Sequence, residues 1–432
     1  MRKIVFSIAL LLCLPAALLA VENFPPPEFT QGYRFPATSV PGPRDVWLSW
    51  LDVAVLLVAL SVAAYLVVKA RSRQHLVALV LFSLLYFGFY RRGCICSVGA
   101  LQNVVLALWR KDYVLPATAG AFFLLPILFA LFFGRVFCAG VCPLGAAQEL
   151  VLLRPKRTPR WLDDALGTIP YVYLGFAVLF AATSSAFLVC EYDPFVLFFR
   201  LGGSVLMLAL GVAILLLSTV IGRPYCRYLC PYGLVLRWMS HFARWQARIS
   251  PKECVNCHLC AKACPYGAIL PPSPEGQPVA RTEGKRRLVL LLALLPVFML
   301  GGAGLTRLAA PMLSHVHRTV RLADRIWLEE HHQVTGTTDE SAAFATLGLE
   351  SSDLYRDAAA IRAQYEKGAW FLGAWIGLVF GLRMIGLSIR RKRTEYQIDT
   401  GSCVACGRCY QSCPVHHAGG LPEGFEIAEG AR

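Results

Sequence analysis

Seven stretches of this chain are apolar for 16 to 23 residues at a time, and nothing else limits its fold as strongly. They cover residues 47–69, 75–90, 114–133, 170–190, 203–221, 288–305 and 369–389. A helix needs about 20 such residues to cross the ~30 Å hydrocarbon layer of a bilayer. Inside that layer every backbone polar group must bond within its own segment, so the spans must be helical. The shortest stretch is 75–90. Composition agrees: 56% of residues are hydrophobic, 16% are charged and the mean hydropathy is +0.53. These values exclude a disordered chain, a collagen and a small disulfide scaffold. The expected fold is an all-α polytopic membrane protein with about seven core transmembrane helices.

Charge orients the spans. Residues 1–20 place Arg2 and Lys3 before an apolar run and small residues at Ala17 and Ala20, as in a signal peptide or a first anchor. Residues 21–45 form a Pro-rich extracytoplasmic linker. With residue 45 outside, the basic runs 69–73, 154–160, 284–287 and 390–393 all fall inside, as the positive-inside rule requires. The net charge of +15 (42 Lys and Arg against 27 Asp and Glu) is thereby explained by the membrane, and no nucleic acid is expected. The resulting plan is a transmembrane core over 46–249 and a cytoplasmic motif over 250–286. A span over 287–306, an extracytoplasmic helical insert over 307–368, a span over 369–390 and a second cytoplasmic motif over 391–432 follow. Arg91, Arg92, Arg110 and Lys111 sit awkwardly with the rule, which places the outer segment 91–113 partly in the interface.

The 16 cysteines are spaced for metal rather than for disulfides. Cys254, Cys257, Cys260 and Cys264, and again Cys403, Cys406, Cys409 and Cys413, form the run C-x2-C-x2-C-x3-C-P. That run holds a [4Fe–4S] cluster in bacterial ferredoxins, where the fourth cysteine serves the other cluster. Two [4Fe–4S] clusters are expected in one small α+β ferredoxin-like module. Cys254, Cys257 and Cys260 pair there with Cys413, and Cys403, Cys406 and Cys409 with Cys264. A zinc site is the alternative, but zinc favours separated C-x2-C pairs.

A second pattern, G-R-x-x-C-x3-C-P-x-G, occurs twice, with Cys138 and Cys142 in one copy and Cys226 and Cys230 in the other. Each copy ends a span. The proline after the second cysteine suits a first helical position, and Arg135 and Arg223 favour thiolates or an anionic cluster. The four cysteines make either an additional iron–sulfur or metal site or four buried structural cysteines. The segment from Arg92 to Gln102 echoes the residues 142–148 and carries Cys94 and Cys96 on the outer side, near Cys190. A disulfide and a redox or metal centre stand level there.

His315, His317, His331, His332, His416 and His417 read as solvated surface, so no b-type haem is assigned. The insert reads as two helices, 311–332 and 352–367, with a cap at 337–340. It serves as a lid, a docking surface or a plain hairpin. Asp52, Glu191 and Asp193 at outer span ends read as interfacial anchors or as a proton or quinone site. No acid–base or nucleophilic catalytic set is visible.

Together, the two G-R-x-x-C-x3-C-P copies, the Arg92–Gln102 segment and the two ferredoxin runs resemble the NosR/NapH polyferredoxin family over residues 46–417. The resemblance implies an iron–sulfur protein of the bacterial inner membrane, multi-pass, with both ferredoxin motifs cytoplasmic. It implies electron relay between a quinol or cytoplasmic donor and a periplasmic reductase system, as the membrane component of a quinol dehydrogenase. NosR carries a flavin-binding domain before its core, whereas this sequence has residues 21–45 there and no S-G-A-T segment. No covalent flavin is therefore expected, and a separate flavoprotein partner is implied. The alternatives are a redox or metal-maturation factor resembling CcoG-type proteins and a cluster-based membrane regulator.

Overall fold

In a computed structural model, which describes residues 45–93, 97–200, 204–247, 257–272, 281–388, 393 and 396–413, five helices are long and apolar enough to cross a bilayer. They are Val46–Ala70, Arg73–Tyr90, Trp161–Ala182, Thr282–Leu308 and Ser351–Ser388, joined by the shorter apolar helices Ser97–Trp109, Ala117–Phe133 and Val205–Ser218. The first ends in a π-helical turn, and so does the second. We label the main elements α1 (Val46–Tyr65), α2 (Arg73–Ser83), α3 (Ser97–Trp109), α4 (Ala117–Phe133), α5 (Pro143–Leu150), α6 (Ile169–Ala182) and α7 (Val205–Ser218). After these come α8 (Pro224–Tyr228), α9 (Pro231–Ser240), α10 (Arg281–Leu308), α11 (Arg318–Glu330), α12 (Asp339–Thr346) and α13 (Ser351–Ser388).

The spans are apolar on all sides, as helices between protein and lipid are. Leu56, Leu60 and Ala63 of α1 are buried among neighbours, while Leu57, Val58 and Val62 of the same helix are exposed. An apolar surface of that extent needs hydrocarbon around it. α10 and α13 form a hairpin held by small residues. A Cβ on Gly302, Gly373 or Gly377 would run into the backbone of the facing helix. The four-residue step from Gly373 to Gly377 keeps both on one helix face, the packing rule of membrane helices. Thr306 adds an Oγ1 hydrogen bond to Ala369 O at 2.7 Å.

Three elements differ from the sequence reading. The second helix of the insert and the last span are a single helix, α13, of 38 residues. At ~1.5 Å per residue it is about 57 Å long. Hydropathy changes at Lys367, but the only interruption there is Gly368, which a helix tolerates, and no proline stands in 351–388 to stop the backbone. The first half of the insert is α11 and α12, and α12 begins with a capping box between Thr338 and Ser341. The segment assigned to the interface contains α3, whose residues Ser97–Gln102 are all buried. Its first residues are small (Ser97, Gly99, Ala100), which lets it enter among the other helices. Arg91 is likewise no surface residue out of place: it pairs with the buried Asp52 at 3.0 Å, and Tyr86 donates to the same carboxylate at 2.8 Å.

At one end, the two ferredoxin-type segments pair with each other. Strands β1 (Ile269–Leu270) and β2 (Gln397–Ile398) run antiparallel, with Ile269 opposite Ile398 and Leu270 opposite Gln397. Asp399 N extends the ladder to Ala268 O at 2.8 Å. This is the one sheet among the described residues.

Candidate metal centre

The two G-R-x-x-C copies are built alike and exchange their arginines. Cys142 and Cys230 each precede a helix whose first residue is proline, Pro143 of α5 and Pro231 of α9. Cys138 lies in a π-helical turn and Cys226 in α8. Arg223 of the second copy donates to Cys138 O and, at 3.2 Å, to Ala139 O of the first. Arg135 of the first copy lies beside Gly233 of the second. A Cβ on Gly233 would be 3.4 Å from Arg135 Nη2, and one on Gly145 would be 3.3 Å from Arg223 Nη1. The closing glycine of each copy therefore makes room for the guanidinium of the other. Arg223 holds a left-handed backbone, φ 47°, the kind of strain that persists only where surroundings enforce it.

All four cysteines of these copies are buried. Burial pushes the Cys142 thiol well above its usual range and Cys226 up to about 11, with the neighbouring cysteines adding to both. Gly233 N donates to Cys230 Sγ at 3.2 Å, and Gln148 Nε2 to Cys226 Sγ at 3.4 Å. Arg135 is 6% exposed, and its Nε has no partner among the described residues. Arg135, Arg223, Arg237, Cys226 and Cys230 share a cavity of about 260 Å³. Four buried thiols beside Arg223 and the incompletely partnered Arg135 suit a cluster that four thiolates make anionic. The residues present fit such a group.

The ferredoxin segments supply a second set. Cys264 of the first run lines one small cavity with Cys403, Cys406 and Cys409 of the second. Ala405 N donates to Cys403 Sγ at 3.4 Å. Burial lifts Cys403 to about 12 and Cys406 to about 11. Between the second and third cysteine of each run the backbone turns left-handed, at His258 (φ 59°) and at Gly407 (φ 74°). This is the tight reversal that wraps successive thiols around one centre. Cys257, Cys260 and Cys413 are half-buried, and Cys254 lies outside the described residues. Among the described residues no three His, Cys, Asp or Glu side chains close around a single metal ion.

Sequence reasoning missed the residue that joins the two sets. Glu149, on α5 seven positions after Cys142, is 6% exposed. Its Oε1 accepts from Arg73 at 2.8 Å and from Arg408 at 2.9 Å, and its Oε2 from Arg223 at 3.1 Å and Tyr266 at 3.0 Å. Arg73 also donates to Cys406 O at 2.8 Å. Burial alone would raise the carboxyl, but Arg223, Arg408 and Arg73 outweigh it and bring Glu149 down to about 2. The signal for it was a lone acid inside the apolar run PLGAAQELVLL.

Toward the other end, Cys94 and Cys96 lie outside the described residues. The echo between 92–102 and 142–148 has a structural counterpart. Gln148 Oε1 accepts from Tyr225 N, just before Cys226, and Gln102 Oε1 accepts from Val189 N, just before Cys190, both at 3.0 Å. Cys190, Asp193, Asp52 and Arg91 line a cavity of about 260 Å³. Burial raises Asp193 to about 6. In the insert, His331 stacks on Trp327 and His315 sits 3.3 Å from Asp324; His416 and His417 lie outside the described residues.

Sequence comparison matches this geometry. One 4Fe–4S binding domain family matches residues 115–160 and 204–249, the two G-R-x-x-C copies. A second, also described as a 4Fe–4S binding domain, matches residues 247–270 and 396–416, the ferredoxin segments. YccM of Escherichia coli strain K12 is 31% identical over 188 residues, 39% of this chain and 52% of YccM. The regulatory protein NosR of Stutzerimonas stutzeri is 28% identical over 259 residues, 53% of this chain and 36% of NosR. The methylamine utilization ferredoxin-type protein MauN of Methylobacillus flagellatus is 26% identical over 150 residues, 33% of this chain and 52% of MauN. The chain thus spans about half the length of YccM and MauN and about a third of NosR. No solved structure matches it. Fold and matched segments together define a multi-pass bacterial membrane protein with 4Fe–4S binding segments. Within that class the chain is similar to the NosR/NapH-like membrane ferredoxins.

Proposed function

We propose that this protein carries electrons through the membrane along iron–sulfur clusters, from a quinol or cytoplasmic donor to a periplasmic reductase system. The ferredoxin segments face the cytoplasm. One observation carries the reading: Cys264, Cys403, Cys406 and Cys409 share one cavity, and Arg73, Arg408 and Arg223 on the single carboxylate of Glu149 link it to the G-R-x-x-C copies.

A bound [4Fe–4S] cluster supplies a one-electron carrier. Cys403, Cys406, Cys409 and Cys264 would hold one; Cys254, Cys257, Cys260 and Cys413 a second; Cys138, Cys142, Cys226 and Cys230 a third. The juxtaposition of Cys264 with the second run supports the crossed assignment of the ferredoxin pair. The chain's own work is to bury the thiols, aim N–H groups from Gly233 and Ala405 at sulfur, and set guanidiniums beside the anionic centres. These are the means by which a protein tunes cluster potential. The name of YccM describes electron transport, and that of MauN a ferredoxin type, which favours the same reading.

The test uses sealed proteoliposomes with an electron-accepting dye trapped inside and a reduced low-potential carrier outside. Trapped dye should be reduced by the native protein and at least tenfold more slowly by the Cys230→Ser variant. Equal rates with and without protein would overturn the proposal. A regulatory reading is favoured by the name of the NosR relative, and it predicts cluster signals without transmembrane electron flow.

A further inference from the structure

Building on that reading, we infer that Glu149 is a positioning residue that sets the potentials of the ferredoxin cluster at Cys264/Cys403/Cys406/Cys409 and of the cluster at Cys138/Cys142/Cys226/Cys230 together. Its four partners reach both. Arg73 holds Cys406 O, and Arg408 stands between Cys406 and Cys409 in sequence. Arg223 holds the carbonyls of Cys138 and Ala139. Tyr266 follows Cys264 by two residues. The carboxylate is thus the shared counter-charge of three cations, in a place where water cannot screen it.

The repeat makes the point sharper. The second copy carries Arg237 where the first carries Glu149, each seven positions after its second cysteine. Arg223 therefore has an acid partner at 3.1 Å. Arg135, its counterpart, bonds Gly401 O and keeps a buried Nε unpartnered among the described residues. Only one of the two exchanged arginines is neutralised by an acid, although both reach the ferredoxin segments, Arg135 through Gly401 O and Arg223 through the carboxylate it shares with Arg408. One negative charge at that spot lowers the potential of both neighbouring centres, because each carries one more negative charge when reduced.

The test is an EPR-monitored redox titration of the full chain purified without oxygen. Cys406→Ser and Cys230→Ser assign the two signals by their loss. In Glu149→Gln both midpoint potentials should move in the positive direction, and Glu149→Asp should restore most of the native values. A purely structural role would change signal amplitude and leave the potentials in place. If Glu149→Gln yields protein without clusters, Tyr266→Phe decides: it leaves the carboxylate with one donor fewer, and both potentials should move in the negative direction. Unchanged potentials, or a shift in one signal alone, would overturn the inference. A native protein with no signal sensitive to Cys230→Ser would instead remove the membrane site itself, and this inference with it.

Discussion

Glu149 concentrates the energetics of the ferredoxin end. A buried carboxylate bound to three guanidiniums is costly to break from one side, because the cations stay behind uncompensated. Glu149→Ala should lower thermal stability in detergent by about 3–5 kcal/mol. The pH dependence has a defined sign. The carboxyl is held near 2 in the folded protein against ~4.3 when unfolded. Its contribution, on the order of 3 kcal/mol, is complete above about pH 4.3 and is lost as pH falls toward 2. Asp193 behaves oppositely. Raised by burial to about 6, it stabilises most when protonated, below its unfolded value, and that contribution is lost as pH rises through 6. Asp193→Asn should therefore raise the melting temperature at pH 8 and leave it nearly unchanged at pH 4. At the repeats, the Cβ of Gly233→Ala would stand 3.2 Å from the carbonyl oxygen of Cys226, tighter than ordinary contact, and should destabilise the protein by about 1–3 kcal/mol. The same change at Gly284, which has nothing within 4 Å, should be neutral, and thermal unfolding separates the two.

Elements were readable from the sequence wherever one signal determined them. Apolar runs marked α1, α2 and α10 because lipid imposes length and polarity at once. Cysteine spacing marked the ferredoxin runs because reach around a cluster imposes it. Hydropathy failed where it was taken as a measure of helix: α13 passes from a polar insert into an apolar span without a break. α3 escaped because a short helix entering on Ser97, Gly99 and Ala100 has no long apolar run. Glu149 and the exchange of Arg135 with Arg223 were illegible for another reason. Their partners lie tens to hundreds of residues away, and periodicity carries no information about such contacts. The α10–α13 hairpin gives its own prediction. Gly373→Leu puts four extra carbons where a Cβ already meets Gly302. It should separate the pair and expose the insert to protease at least severalfold faster, with the cysteines of the ferredoxin segments and G-R-x-x-C copies unaffected.

Among the described residues, polar structure gathers at the ferredoxin end, at the cavity of Asp52 and Arg91, and in the insert, where Arg325 pairs with Glu329 and Arg362 with Asp324. The ferredoxin end holds two sets of cysteines joined through Glu149, and the sheet pairing Ile269 with Ile398 closes the chain around them. Helices that are apolar on all sides fill the space between the ends. Such an arrangement is consistent with passing charge through stepping stones, since one jump across ~30 Å of hydrocarbon is too long. The most direct test is a count of iron and acid-labile sulfide per chain after purification without oxygen. Three [4Fe–4S] clusters predict about twelve of each, falling by about four in Cys142→Ser or Cys230→Ser. A count of eight or fewer that neither substitution changes would contradict the account.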